Sequence, residues 1–176
     1  MNIIKNLKFK IRNLLILTLL LFLSGSCVNY SLSGGDTGNA KTLTVRYFSN
    51  DAAGPPNLAQ IFTEKLRDYY QINTKLNQVN ESGDWILEGR IVSYTVTPVA
   101  PTGTGTTALN RLTISVNVNF INNIEGPNDV KSFESVFSFY EDFSQTQNLS
   151  QVEADLIDTI LNRIVFDIFS RTTSNW

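Results

Sequence analysis

The chain has 176 residues, 14 basic and 16 acidic, and 42% of it is hydrophobic, a composition that fits one globular domain with a tail. It contains no His and a single Cys, so imidazole catalysis, His-ligated zinc, an internal disulfide and a multi-cysteine metal site are all excluded. Carboxylate, Lys, Tyr and hydroxyl chemistry remain available, and no cofactor-binding pattern accompanies them.

The charge is unevenly placed. Lys5, Lys8, Lys10 and Arg12 precede a ten-residue, almost wholly apolar run from Leu14 to Leu23, and residues 1–26 contain no acid. The run is too short to span a bilayer, which takes about 20 residues, and has the length of a secretory h-region. Ser24-Gly25-Ser26 follow, then Cys27, the sole Cys. Basic, apolar and small residues in this register resemble a bacterial lipoprotein signal, in its looser Bacteroidetes-type form. Residues 1–26 then form the signal peptide and Cys27 the lipidated start of a 150-residue mature chain. The competing reading is a buried free Cys after an ordinary signal peptide. No acidic pair follows Cys27, which favours the periplasmic face of the outer membrane over surface export. Without the signal the chain has ten basic residues against sixteen acidic ones. That balance argues against nucleic acid as a partner, because phosphate neutralisation needs a basic surface.

Residues 27–41 hold Gly34, Gly35 and Gly38 among Ser, Asp, Thr and Asn and read as a tether. The folded domain is expected over 42–176. Thr42–Phe48 alternates as a strand. Asn57 and Gln60 have the spacing of a capping box, and Leu58, Ile61, Phe62, Leu66, Tyr69 and Tyr70 recur at helical spacing to about Gln71. Thr74–Val79 suits a short strand. Trp85–Val99 is a long extended segment whose inward set shifts from Trp85, Leu87, Gly89 and Ile91 to Val92, Tyr94 and Val96, which predicts a bulge near Ile91. A loop rich in Thr, Gly and Pro runs from Pro98 to Thr107. Leu109–Phe120 alternates cleanly, with Leu112, Ile114, Val116, Val118 and Phe120 inward and Thr113, Ser115, Asn117 and Asn119 outward. Phe133, Phe137 and Phe139 mark an antiparallel neighbour. Ser150 and Glu153 suggest a second capping box, opening a helix that carries an apolar stripe from Val152 to Phe169. The order is β-α-β-β-β-β-α. The expected fold is an α+β two-layer sandwich, a mixed sheet of about four to five strands under two helices.

The chemical motifs are weak. Gly34–Gly38 and Gly103–Gly105 lack the Lys and Ser/Thr of a phosphate loop. Glu141 and Asp142 are adjacent and point to opposite faces of a strand. Asp155 and Asp158 share the polar face of a helix, where their expected role is electrostatic rather than metal-binding. Asn148-Leu149-Ser150 matches a glycosylation sequon, but Ser150 serves better as a cap. Trp85, Tyr94 and Trp176 stand open between core packing and partner contact. Arg46 and Arg90 fall on outward strand positions, and Arg111, with Asn110 beside it, opens the best strand. All four are surface residues by default and anion or partner contacts by the functional reading.

Several strings together resemble the LptE family in Bacteroidetes-type bacteria: Ala108–Val118, Tyr94–Pro98, Val45–Phe48, Asn148–Glu153, Asp167–Phe169 and Ser174–Trp176. The resemblance covers residues 27–176. It implies an α/β sandwich, non-enzymatic and lipid-anchored at Cys27, that sits inside the LptD outer-membrane β-barrel as plug and assembly aid and contacts lipopolysaccharide (LPS). Two other classes compete with it. One is a periplasm-facing lipoprotein that holds a lipid or other small ligand in its own cavity. The other is an enzyme built on carboxylates, for which no converging acid pair is visible.

Overall fold

The computed structural model describes residues 35–100, 108–127 and 129–173. Cys27, the signal segment, the loop tip at 101–107 and Trp176 lie outside the described residues. The elements are β1 (Thr42–Val45), β2 (Ser49–Asn50), α1 (Leu58–Asn73), β3 (Asn77–Gln78), β4 (Trp85–Val99), β5 (Leu109–Asn122), β6 (Phe133–Ser144) and α2 (Leu149–Thr173). They form the expected α+β sandwich. The sheet runs β3-β1-β4-β5-β6, with two-residue β2 pairing further along β4. β1, β2 and β3 join in parallel, whereas β4, β5 and β6 form an antiparallel meander.

Both helices cover one face of this sheet. Leu112, Ile114, Val116, Val118 and Phe120 are all 0% exposed, under the α2 stripe Ile157, Ile160, Leu161, Ile164, Val165 and Ile168. Alternation in β5 therefore sets one face against the helices, and burial of each such side chain contributes roughly 1.5–3 kcal/mol. α1 brings Leu58, Phe62, Leu66 and Tyr70 to the same layer. Tyr69 and Tyr70 meet the Phe169 ring edge-on at 5.0 and 5.2 Å, and Lys65 Nζ reaches Asp158 Oδ1 at 2.7 Å, so the two helices are joined by packing and charge. Burial raises the Tyr70 hydroxyl pKa well above the ordinary phenol value, and the group bonds Thr172 Oγ1 on α2.

The bulge lies where the pattern shift placed it, since Ile91 pairs with Val116 and Ser93 with Ser115. Val92 is the unpaired residue and stands 38% exposed, not inward as expected; Tyr94 and Val96 do share the helix-side face with Ile114 and Leu112. Trp85 is core, edge-on to Phe120 at 5.2 Å. Neither expected capping box forms. Asn57 precedes α1 but makes no side-chain cap bond, and Gln60 Nε2 instead donates to Glu64 Oε1 at 2.9 Å. At α2 the capping side chain is Asn148, whose Oδ1 accepts from Ser150 N at 3.2 Å and Ser150 Oγ at 3.0 Å. Glu153 is drawn off the helix end by Tyr94, whose hydroxyl donates to Oε1 at 2.5 Å. That contact and burial hold the Tyr94 pKa high, burial being the larger cause.

Residues 35–41, expected within the tether, are held in place. Gly35 N donates to Asn73 O at 3.2 Å, and a Cβ on Gly35 would lie 2.4 Å from Thr173 Cβ. Gly38 adopts φ +55°, with its N–H on Asp36 Oδ1 at 2.9 Å. Asp84 Oδ2 accepts the amides of Lys41 at 2.8 Å and Thr42 at 3.0 Å, and the first of these bonds is the main cause that lowers the Asp84 pKa below the usual carboxylate range.

Candidate functional site

Among the described residues, no helix or strand packs on the sheet face away from the helices. The period of two that buries Ile114 and Val116 sets Thr113, Ser115, Asn117 and Asn119 on this side. Register adds Glu88, Arg90, Ser93, Thr95 and Thr97 from β4 and Glu134, Val136, Ser138, Tyr140 and Asp142 from β6.

These side chains bond one another across the strands. Arg111 binds Asp142 in a two-point fork, Nε to Oδ1 at 2.7 Å and Nη2 to Oδ2 at 2.9 Å, and its guanidinium lies 3.6 Å over the Tyr140 ring. The hydrogen bonds of this fork lower the Asp142 pKa and raise that of Arg111. Ser115 and Ser138 share a bond of 2.9 Å. Asn117 Nδ2 donates to Glu134 Oε1 at 2.9 Å, and Asn119 Nδ2 to Glu88 Oε1 at 3.0 Å. Glu88 also pairs with Arg46. Arg46, Glu88, Arg90, Asn117, Asn119 and Glu134 border a shallow groove of about 360 Å³ beside Tyr47, which is 63% exposed.

The four candidate contact residues are thus only partly gathered. Arg46 and Arg90 share the groove. Arg90 is the looser of the two, its Nη1 3.7 Å from Asp51 Oδ2, with both side chains more than half exposed. Arg111 lies on the same face, but it pairs with Thr97 whereas Arg90 pairs with Asn117, six residues along β5 and so about 20 Å away. Its charge is already met by Asp142. Asn110 pairs with Phe143 on the opposite, helix-side face. The partner roles of Asp142 and Tyr140 at Arg111, of Glu88 at Arg46 and of Glu134 at Asn117 were not visible in the sequence alone. Counting back from the β5–β6 hairpin sets Asp142 opposite Arg111, so register was the usable signal.

The chain is thus a two-layer α+β domain whose helices cover one sheet face and leave the other polar and internally bonded. Among solved structures with this fold are a protein from Xanthomonas campestris (TM-score 0.53, 11% identity, covering 79% of this chain and 86% of that one) and a hypothetical protein from Chlamydia trachomatis (TM-score 0.51, 9% identity, 76% and 98%). The rare lipoprotein B of Shewanella oneidensis aligns at TM-score 0.47 and 15% identity over 74% of this chain and 95% of that one. No curated protein sequence matches the chain. The family described as LptE, lipopolysaccharide-assembly, matches residues 40–172, which takes in every element from β1 through nearly all of α2. The chain belongs to the LptE family, and its role lies in lipopolysaccharide assembly.

Proposed function

We propose that this protein is a non-enzymatic lipoprotein of the outer membrane, processed after residue 26 and lipidated on Cys27, that plugs the LptD β-barrel, helps assemble it and contacts LPS in transit to the outer leaflet. The family match over residues 40–172 carries this reading. The open face supports it physically. The lumen of a large outer-membrane barrel is polar, and a sheet presenting Thr113, Ser115, Asn117 and Asn119 suits such surroundings without burying unpaired charge, since its arginines already hold carboxylates. Arg90 and Arg46 at the groove, and Arg111 and Asn110 at the far end of β5, are the proposed partner or LPS contacts. Arg111 meets a phosphate only by sharing or exchanging Asp142. No helix among the described residues is long and apolar enough to cross a membrane, and lipid on Cys27 supplies the anchor.

Affinity purification of the full-length protein from detergent-solubilised outer membrane, with mass spectrometry, tests the assignment. The expected result is LptD in stoichiometric amount, and a bait mass showing loss of residues 1–26 plus acyl chains. Recovery of the bait without any barrel protein overturns the plug reading.

A further inference from the structure

Among the described residues the sheet has three open edges besides that of two-residue β2, and they are not alike. β3 is only two residues long, and brevity protects it. β6 is twelve residues long but carries Glu134, Glu141 and Asp142. The third edge is the outer half of β4. β1 and β2 pair with β4 only as far as Ile91, and Asp51 N closes that ladder on Ile91 O at 3.0 Å. Among the described residues, β4 from Ser93 onward has β5 on one side and no strand on the other.

The hydrogen-bond phase shows which groups face outward. Asn123 N donates to Asp84 O at 2.8 Å, so the odd-numbered residues of β5 point toward β4. After the bulge these are matched by Ser93, Thr95, Thr97 and Val99. Tyr94, Val96 and Pro98 therefore turn their main-chain groups away from β5. Pro98, which has no N–H to give, occupies a position where the ladder needs none. The edge offers the N–H groups of Tyr94 and Val96 and the C=O groups of Tyr94, Val96 and Pro98. Thr95, Val96, Thr97 and Pro98 are all exposed.

Nothing guards this edge by charge. Val92–Val99 contains no Asp, Glu, Lys or Arg, and five of its eight residues are β-branched. Soluble proteins blunt such edges with lysines or inward charges, as the acids of β6 do here. We propose that the outer half of β4, Ser93–Val99, is a docking edge to which an extended, uncharged strand of the partner protein adds. The missing charge favours an uncharged occupant, and main-chain pairing supplies the affinity. A second copy of this chain fits less well. Two-fold pairing about Val96 sets each Pro98 against Tyr94 of the copy and strips two donors from the ladder, whereas a foreign strand meets Pro98 once. The proposal rests on the barrel partnership put forward above and names the edge that serves it.

Amide hydrogen exchange of the full-length lipoprotein, alone and co-purified with the barrel protein, tests it. The amides of Tyr94 and Val96 exchange fast in the free protein and slow by at least about tenfold in the complex. Val96→Pro removes an N–H that no described residue bonds, so thermal stability holds while barrel recovery falls by about tenfold, the equivalent of one main-chain bond; Val96→Thr keeps both. If Val96→Pro does not fold, the exchange measurement alone decides. Unprotected amides in an intact complex overturn the proposal and leave the partnership standing. Protection that rises with protein concentration and no barrel present assigns the edge to a second copy and overturns it too. Failure of the wild-type protein to recover any barrel removes the partnership first, and this inference with it.

Discussion

Asn148 shows how a single side chain decides where a helix starts. Its Oδ1 accepts from the N–H and the hydroxyl of Ser150, whereas Glu153, the other half of the expected box, is bonded to Tyr94. Asn148→Ala is expected to destabilise the domain by about 1 kcal/mol and Ser150→Ala by clearly less, measured by urea denaturation; equal losses would return the capping role to Ser150. Asp84 works similarly at β1, accepting the amides of Lys41 and Thr42. Its pKa is depressed in the folded state, so the stability it adds is present above the unfolded carboxylate value of about 3.9 and is lost as pH falls through the lower folded value. Asp84→Asn is expected to flatten the acid limb of the stability curve below about pH 4. An unchanged acid limb in that variant would show that Asp84 does not couple folding to pH. Both positions explain why side-chain roles were harder to read than elements. Spacing offered Ser150 and Glu153 as partners, but a tyrosine 59 residues upstream competes for the glutamate.

At the scale of elements, periodicity was legible wherever a face is buried. β5 alternates from Leu112 to Asn122 without a break, and its apolar set is the one that lies under α2. Val116→Asp is expected to cost more than about 4 kcal/mol, because an unpaired charge would be placed among Ile114, Val118 and the α2 stripe. A melting temperature within a degree of the wild type would contradict the sandwich. The β4 bulge was legible as well, because one inserted residue moves every later side chain to the other face. The exposure of Val92 was not, since an alternation pattern shows that a phase changes but not which residue takes up the change. Strand edges were hidden for a related reason. Which strands lie at the margin depends on β1 inserting between β3 and β4, a long-range pairing that no local pattern encodes.

For the molecule as a whole, the acidic balance of residues 27–176 and the lack of His pointed away from nucleic acid and imidazole catalysis toward a binding role. The open face shows how that charge is handled. Arg111 with Asp142 and Arg46 with Glu88 form neutral pairs beside Asn and Ser ladders, so the surface is polar with little net field. Such a face tolerates water and partner contact alike, which suits the proposed place inside a barrel. Residues 35–41 add to this, because their bonds to Asn73 and Asp84 fasten the start of the described chain to the end where both helices stop. The role proposed for this domain is delivery of LPS to the cell surface. The most direct measurement is surface LPS in cells depleted of the protein and complemented with wild-type chain. Surface LPS is expected to fall as the protein disappears and to return with complementation; surface LPS that stays at its normal level through complete depletion would contradict that role.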